Sequence, residues 1–496
     1  VVQPTTKPAA SMSNADIILT TINARYVHSA FGLRCLWANL GALRERTVLR
    51  EFQSRQSPDA IADTLLEAHP RIIGFGVYIW NAAALTAVVH TIRERCSDTT
   101  IVLGGPEVAY EYESTELFAL GDYLVRGEGE QAFTELAEGL LAGRPPARKI
   151  IHAAPPALDA IELPYDAYTH EDIAHRMLYV ETSRGCPFQC DFCLSALEPG
   201  VREFPLPPFF DAVERLLGRG ARRFRFVDRT FNLRDERVEP ILRFFLDRWI
   251  DGMQLHLEIM PDRLTPCMLD LMARFPPTGL HLEVGVQTFV PSVLETIHRT
   301  QDPEQTERNL RFLRCKTGAL LHSDLVAGLP GQTWEHVAAD FDRLLALRPH
   351  EIQVGILKRL KGAPIERHVE PYAMRFALGP PYEILQTDTL SSDQLQRITR
   401  FARYLDRYYN SNNFPQSLPL LWQTHPSPFD AFMAFSDRLW QVFYRTHHLP
   451  LNHLAEQLYL YLAAQRIARP SDLACLIRAD YHRLPGRHDT LNLPYA

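Results

Sequence analysis

Three cysteines fall within eight residues, in Thr182-Ser-Arg-Gly-Cys186-Pro-Phe-Gln-Cys190-Asp-Phe-Cys193. Thiolates at this density select soft metals: iron–sulfur clusters, zinc or copper. A structural zinc ion is usually closed by four protein ligands, and no further Cys or His follows close by. The spacing, three residues and then two, reads as a four-iron cluster held by three cysteines with one iron open to another ligand. The other five cysteines, Cys35, Cys96, Cys267, Cys315 and Cys475, are scattered singly and read as buried thiols. With no secretory signal in the opening residues, a disulfide framework is not expected.

The elements around this segment follow from hydrophobic patterning. Residues 1–14 are polar and rich in Pro and Ser, and are expected to be a disordered tail. Over residues 15–144, five β-type runs (ADIILTT, TVLREF, RIIGFGVYIW, TTIVLGG and DYLVRG) alternate with helical stretches. That alternation predicts an α/β domain with a doubly wound parallel sheet, Rossmann- or flavodoxin-like. Its glycines gather at strand ends, in Gly104-Gly105-Pro106-Glu107 and Gly127-Glu128-Gly129. Ligands bind outside the carboxyl ends of strands in such sheets, so these loops are candidate contacts. Residues 145–175 hold Pro145-Pro146, Pro155-Pro156 and Pro164 and read as an extended linker. Residues 176–369 carry six strand candidates, five followed by a helical stretch. Six units fall short of eight, so a partial (β/α)6 TIM-like barrel is expected. Residues 370–496 lose the β signal and read as an α-helical domain, whose aromatics (Phe401, Tyr404, Tyr408, Trp440, Phe443) pack its core.

Composition narrows the classes. The chain has 496 residues, 46% hydrophobic and 22% charged, an ordinary globular balance. Its net charge of −7 argues against a nucleic-acid or anionic-membrane partner. The longest uncharged apolar stretch, residues 72–89, is broken by Gly74, Gly76 and Trp80-Asn81 into a strand and a helix, so no membrane span is expected. A soluble, cytoplasmic protein is expected. In the C-terminal segment, Tyr481, His482 and Arg487 read as helix-capping or surface residues.

CxxxCxxC after the first strand of a partial barrel, with Phe192 before the last cysteine, resembles the radical S-adenosylmethionine (SAM) superfamily. Further strand ends share the resemblance: Asp228 in FVDRTFN, Glu258 in HLEIMP, Glu283 and Gln287 in EVGVQT, Asp324 in DLVAGLPG, and Leu357 in LKRLKG. The resemblance implies that Cys186, Cys190 and Cys193 bind a 4Fe-4S cluster. It implies that Phe192, Asp228, Glu258, Glu283, Gln287, Asp324 and Leu357 contact SAM. An external electron donor such as flavodoxin or ferredoxin is implied as a partner.

A doubly wound domain directly before such a barrel, carrying GGPE and VRGEGE, resembles the cobalamin-binding domain of cobalamin-dependent radical SAM enzymes. The resemblance implies that Gly104, Gly105, Pro106, Glu107, Gly127, Glu128 and Gly129 contact cobalamin. The loop after the first strand, with Asn23, Arg25, Tyr26, His28 and Gly32, is implied as a further contact, as are Tyr78, Ile79 and Trp80 over the lower cobalt face. The D-x-H-x-x-G string that supplies a cobalt-ligating histidine in such domains is absent. A cobalt without a His axial ligand is therefore expected. The implied activity is reductive cleavage of SAM and methyl transfer through cobalamin to an unactivated carbon. A non-methylating rearrangement, cyclisation or oxidation uses the same sites, and a cobalamin or redox sensor without turnover is a third reading; a zinc-stabilised scaffold is a weaker one. The helical tail resembles an uncharacterised domain of one subgroup, and the substrate class stays open.

Overall fold

A computed structural model describes residues 15–484 together with Arg487, Leu491 and Leu493; the expected tail over residues 1–14 lies outside the described residues. The first sheet has six parallel strands: β1 (Ile17–Asn23), β2 (Thr47–Gln53), β3 (Ile72–Gly76), β4 (Thr100–Gly104), β5 (Tyr123–Arg126) and β6 (Ile150–His152), in the order β2-β1-β3-β4-β5-β6. All seven residues of β1 are buried, as expected of a parallel strand covered on both faces. Helices Pro58–Leu66 and Ala82–Arg95 cover one face, and Phe31–Ala38 and Glu130–Leu141 the other. The first five strands have the flavodoxin-like order, with its switch point at β1 and β3.

The proline-rich passage is more than a linker. The proline-free run Ile150–His152 forms the edge strand β6 against β5, where proline-flanked strands are tolerated. Tyr165 and Tyr168 beyond it are buried, and their hydroxyls donate to Glu181 O and Tyr179 O at 3.2 and 2.7 Å.

The second sheet is a partial barrel. It comprises β7 (Leu178–Val180), then, after a hairpin of β8 (Ser183–Cys186) and β9 (Gly200–Glu203), β10 (Arg223–Phe226), β11 (Gln254–Ile259), β12 (Leu280–Gln287), β13 (Leu320–Ala327) and β14 (Glu351–Ile356). The order β7-β10-β11-β12-β13-β14 is parallel throughout and leaves β7 and β14 as free edges. In β12, Leu280, Leu282, Val284 and Val286 are buried while His281, Glu283, Gly285 and Gln287 are half-buried. This period of two sets an apolar face under the helices and a polar face inside the barrel.

The third region holds the helices Ser392–Leu405, Pro428–Phe443, Leu451–Ala464 and Pro470–His482. It is not wholly helical: β15 (Arg375–Phe376) and β16 (Ile384–Gln386) form a small ribbon before them. Phe401, Tyr404 and Tyr408 are buried in its core. Arg487 donates to Tyr481 O at 3.0 Å and its carbonyl lies 3.2 Å from His482 Nδ1, which closes the last helix. Among the described residues no helix is long and apolar enough to cross a membrane.

Candidate functional site

Cys186 ends β8, with the β8–β9 hairpin holding it opposite Gly200. Cys186 and Cys190 are buried, Cys193 is half-buried, and all three line one cavity of about 170 Å³. Phe192, Glu258, Glu283, Gln287 and Asp324 line the same cavity, so five of the seven implied SAM contacts meet the cysteines. Gln287 gets there through a bulge: the register shifts between Gly285 and Gln287, and Gln287 takes φ +67°. A bulge with strained backbone at a strand end is a device for re-aiming a side chain.

Charged side chains stand close around the thiols. Arg299 stands 3.6 Å from Cys190 Sγ and also donates to Gly285 O. Burial pushes the Cys190 thiol up, and the Arg299 charge works against that rise. Below the cysteines, Arg225 pairs with Glu283 at 2.6 Å and approaches Glu258 to 3.6 Å. His256 Nε2 lies 2.7 Å from the same Glu283 carboxylate. Burial pushes Glu258 up to about 7, and the Glu283 charge adds to it. Burial also opposes ionisation of Glu283, but His256 and Arg225 outweigh it and hold that carboxyl at about 2. Two neighbouring carboxylates with acidities driven apart are a pattern of functional sites.

A second cavity, of about 420 Å³, lies at the carboxyl ends of β3, β4 and β5. Gly32, Tyr78, Gly104, Gly105, Pro106, Gly127, Glu128 and Gly129 line it. Gly105 takes φ +107°, and a Cβ there would stand 2.5 Å from Val77 O; Gly127 takes φ +102°, with Ala153 O at 2.9 Å. Only glycine fits either loop. The barrel supplies the facing wall, where Arg184 pairs with Glu128, Glu130 and Glu181, each at 2.7 Å. Burial pushes Glu181 up to about 7 against the pull of Arg184. Arg229, exposed and just after β10, lines both cavities and joins them.

Several expected contacts lie elsewhere. Asp228 is buried behind the cysteine cavity, where its carboxylate accepts from Thr182 N, Thr182 Oγ1 and Ser183 Oγ. Leu357 is packed core that lines a separate cavity between β14 and the third region, as does Arg25. Asn23 closes its own loop by donating to His28 O at 3.0 Å. Tyr26 donates to Glu171 at 2.6 Å. His28 Nδ1 lies 2.8 Å from Tyr179 Oη, turned to the barrel. Trp80 is 54% exposed, stacks on Tyr78 with ring centroids 4.5 Å apart, and donates to Ile22 O. Half-buried Ile79 lines neither cavity. Glu107 pairs with Lys361 at 3.0 Å and accepts from Tyr382 Oη at 2.6 Å, so it joins two domains instead of lining a site. Conversely, Arg184, Arg229, Thr230 and Arg299 stand in the cavities although none is expected there from the sequence; the first three lie inside the cysteine segment and FVDRTFN, and only Arg299 lies outside the motifs.

Three family models match the chain: the B12 binding domain over residues 17–137, the Radical SAM superfamily over residues 180–344, and a protein family of unknown function, DUF4080, over residues 370–492. The chain has the domain pair of cobalamin-dependent radical SAM enzymes. The uncharacterized methyltransferase PH0819 of Pyrococcus horikoshii is 26% identical over 318 residues, 56% of this chain and 65% of that protein. The 2-(S-pantetheinyl)-carbapenam-3-carboxylate methyltransferase of Streptantibioticus cattleyicolor is 31% identical over 425 residues, 75% of this chain and 61% of that protein. The chain therefore spans less than two thirds of the length of either. The solved structure of the cobalamin-dependent SAM radical enzyme OxsB with aqua-cobalamin bound shares the fold, with a TM-score of 0.61 at 13% identity over 94% of this chain and 80% of that one.

The cofactors of this domain pair can be tested against the side chains. The radical SAM cavity offers three soft sulfurs, and no fourth Cys or His lines it among the described residues. That donor set fits a four-iron cluster with one open iron and leaves a structural zinc ion one ligand short. In the B12-binding domain, Gly105 and Gly127 turn where a Cβ would meet backbone, and the two tight loops leave the cavity open at the strand ends, which fits the tail of cobalamin.

Proposed function

We propose that the chain is a cobalamin-dependent radical SAM enzyme that transfers a methyl group from SAM to a carbon of its substrate. The observation that carries the reading is the meeting of the cysteine cavity and the glycine-loop cavity at Arg229. Relatives named as methyltransferases support methylation over other radical chemistry. When bound, the cluster would supply the electron that cleaves SAM, and cobalamin would carry the methyl group. The chain's own part is binding and exclusion of water. Cys186, Cys190 and Cys193 hold the cluster, and Arg299 offsets their negative charge. Glu258, Gln287 and Asp324 offer hydrogen bonds to the polar groups of SAM, and Phe192 shields it. Tyr78 and the glycine loops hold cobalamin. No histidine lines the glycine-loop cavity among the described residues, His28 included, and that lining supports a cobalt without a His ligand. The exposed Arg229 guanidinium, whose charge acts on Glu258, is placed to orient a substrate between the two cofactors. A flavodoxin- or ferredoxin-like protein would serve as electron donor.

The test is anaerobic. Protein reconstituted with iron, sulfide and cobalamin is given SAM and a reductant, and products are followed by mass spectrometry. S-Adenosylhomocysteine together with 5′-deoxyadenosine, the latter lost in Cys186→Ala, is the expected result. 5′-Deoxyadenosine without S-adenosylhomocysteine would replace methylation by rearrangement or oxidation. Cleavage of SAM to 5′-deoxyadenosine by Cys186→Ala would overturn the cluster assignment.

A further inference from the structure

Asp191 stands between the second and third cysteines, at 0% exposure. Its Oδ2 lies 2.8 Å from His298 Nδ1 and 2.7 Å from His368 Nε2, and its Oδ1 lies 2.9 Å from Arg367 Nη2. Its backbone N–H donates to Ile297 O at 3.0 Å. Ile297 and His298 follow the helix Pro291–Thr296 beyond β12, and Arg367 and His368 lie in the turn Pro364–His368 beyond β14. We propose that Asp191 is a positioning residue for the cluster, holding the cysteine loop closed through a clamp of two histidines and one arginine. The proposal rests on the reading of Cys186, Cys190 and Cys193 as cluster ligands.

The physical case starts from burial. A carboxylate out of water persists as an ion only when paired and hydrogen-bonded; here two ring nitrogens supply the hydrogen bonds, both to Oδ2, and a guanidinium supplies the opposite charge beside Oδ1. The loop from Cys186 to Cys193 has little regular structure of its own, since β8 ends at Cys186 and only the turn bond from Cys193 N to Cys190 O follows. Fixing Asp191 to two distant elements holds the segment that bears Cys190 and Cys193. Groups that orient metal ligands in this way typically change metal affinity 10- to 100-fold when removed.

The same donors, Asp191, His298 and His368, lie within 4.8 Å of one another and are by type a cation-binding set. The geometry favours hydrogen bonds. Both nitrogens converge on one oxygen at charge-assisted hydrogen-bond length, and Arg367 brings positive charge to the other oxygen.

The experiment compares wild type with Asp191→Asn, His298→Ala, His298→Gln and Arg367→Ala after anaerobic reconstitution. It reads the rate of iron loss to a ferrous chelator, the electron paramagnetic resonance spectrum of the reduced cluster, and thermal melting of the cluster-free chain. Asp191→Asn is expected to release iron about 10- to 100-fold faster and to alter the spectrum. His298→Gln, which keeps an N–H donor, should lie nearer wild type than His298→Ala. The His298 and Arg367 side chains are 55% and 52% exposed, so their variants decide the matter if Asp191→Asn does not fold. Variants that fold, retain their cluster at the wild-type rate and leave the spectrum unchanged would overturn the clamp alone. A divalent ion beyond the cluster iron, bound by wild type and lost in His298→Ala, would replace the clamp with a metal site. Wild type that takes up no four-iron cluster would overturn the clamp and the cluster reading together.

Discussion

Gly105 and Gly143 both take positive φ, +107° and +70°, yet differ in what a side chain would meet: Val77 O at 2.5 Å for Gly105, open space for Gly143. Gly143→Ala should therefore cost only the left-handed strain, about 1–2 kcal/mol. Gly105→Ala should cost more, and should also weaken cobalamin binding because the loop must shift. Urea unfolding of the cofactor-free chain and cobalamin titration check both, and equal losses in the two variants would count against the clash. At this scale, what the sequence makes legible is what local spacing dictates. Three cysteines three and two residues apart, and glycine-bearing loops at strand ends, can be picked out before their place in the fold is known. Asp191 sits in plain view between two of those cysteines, but its partners lie 107 and 177 residues away. No pattern within the loop reveals them. Glu107 shows the reverse error: its place after two glycines suggests a ligand contact, while its carboxylate turns to Lys361.

Elements were legible in proportion to their length and periodicity. The strands of both parallel sheets follow the hydrophobic runs, whereas β6, β8 and β9 are three or four residues long and are hidden among prolines and glycines. The inward face of the barrel strands is legible only as a polar alternation, without its pairings. His256, His281 and His322 form a layer across β11, β12 and β13, with ring centroids 4.4 and 6.2 Å apart. His322 lies 3.1 Å from Asp324 and 3.2 Å from Glu351, tying β13 to β14. Burial works against its charge, but the neighbouring Asp324 and Glu351 carboxylates outweigh it and raise its pKa from 6.5 to about 10. A histidine whose pKa is raised by folding contributes stability that is fully present below its unfolded value and is lost as pH rises through the folded one. His322→Asn should therefore lower the melting temperature most below pH 6.5, with the gap to wild type closing as pH climbs toward about 10. A gap that does not change with pH would assign His322 to packing alone.

The whole molecule is fastened by contacts that no motif encodes. The third region shields the free β14 edge, where the Asn410 side chain accepts from Ile352 N at 2.9 Å and donates to Ile352 O at 3.0 Å, as a neighbouring strand would. Besides the Arg184 pairs with Glu128 and Glu130, the B12-binding domain is latched to the barrel at two adjacent points beyond β14. Glu111 pairs with Arg359 at 2.9 Å and accepts from Gly362 N at 3.0 Å, while Glu107 pairs with Lys361. The Glu107 and Lys361 side chains are only 6% and 12% exposed. Breaking one side of such a buried pair costs about 3–5 kcal/mol, because the charge left behind is uncompensated. Lys361→Met should therefore destabilise the chain by about that amount, and Glu107→Gln combined with Lys361→Met should recover most of it, since no buried charge remains. The effect should reach the cofactor. Glu107 follows Pro106 in one wall of the larger cavity, and Arg229 stands in the opposite wall, contributed by the barrel. Loosening the latch lets those walls part, so cobalamin affinity should fall in Lys361→Met although Lys361 lines neither cavity. Denaturant unfolding, limited proteolysis between residues 137 and 180, and cobalamin titration test the chain of effects. Wild-type cobalamin affinity in a destabilised Lys361→Met protein would show that the latch holds the domains together without shaping the site between them.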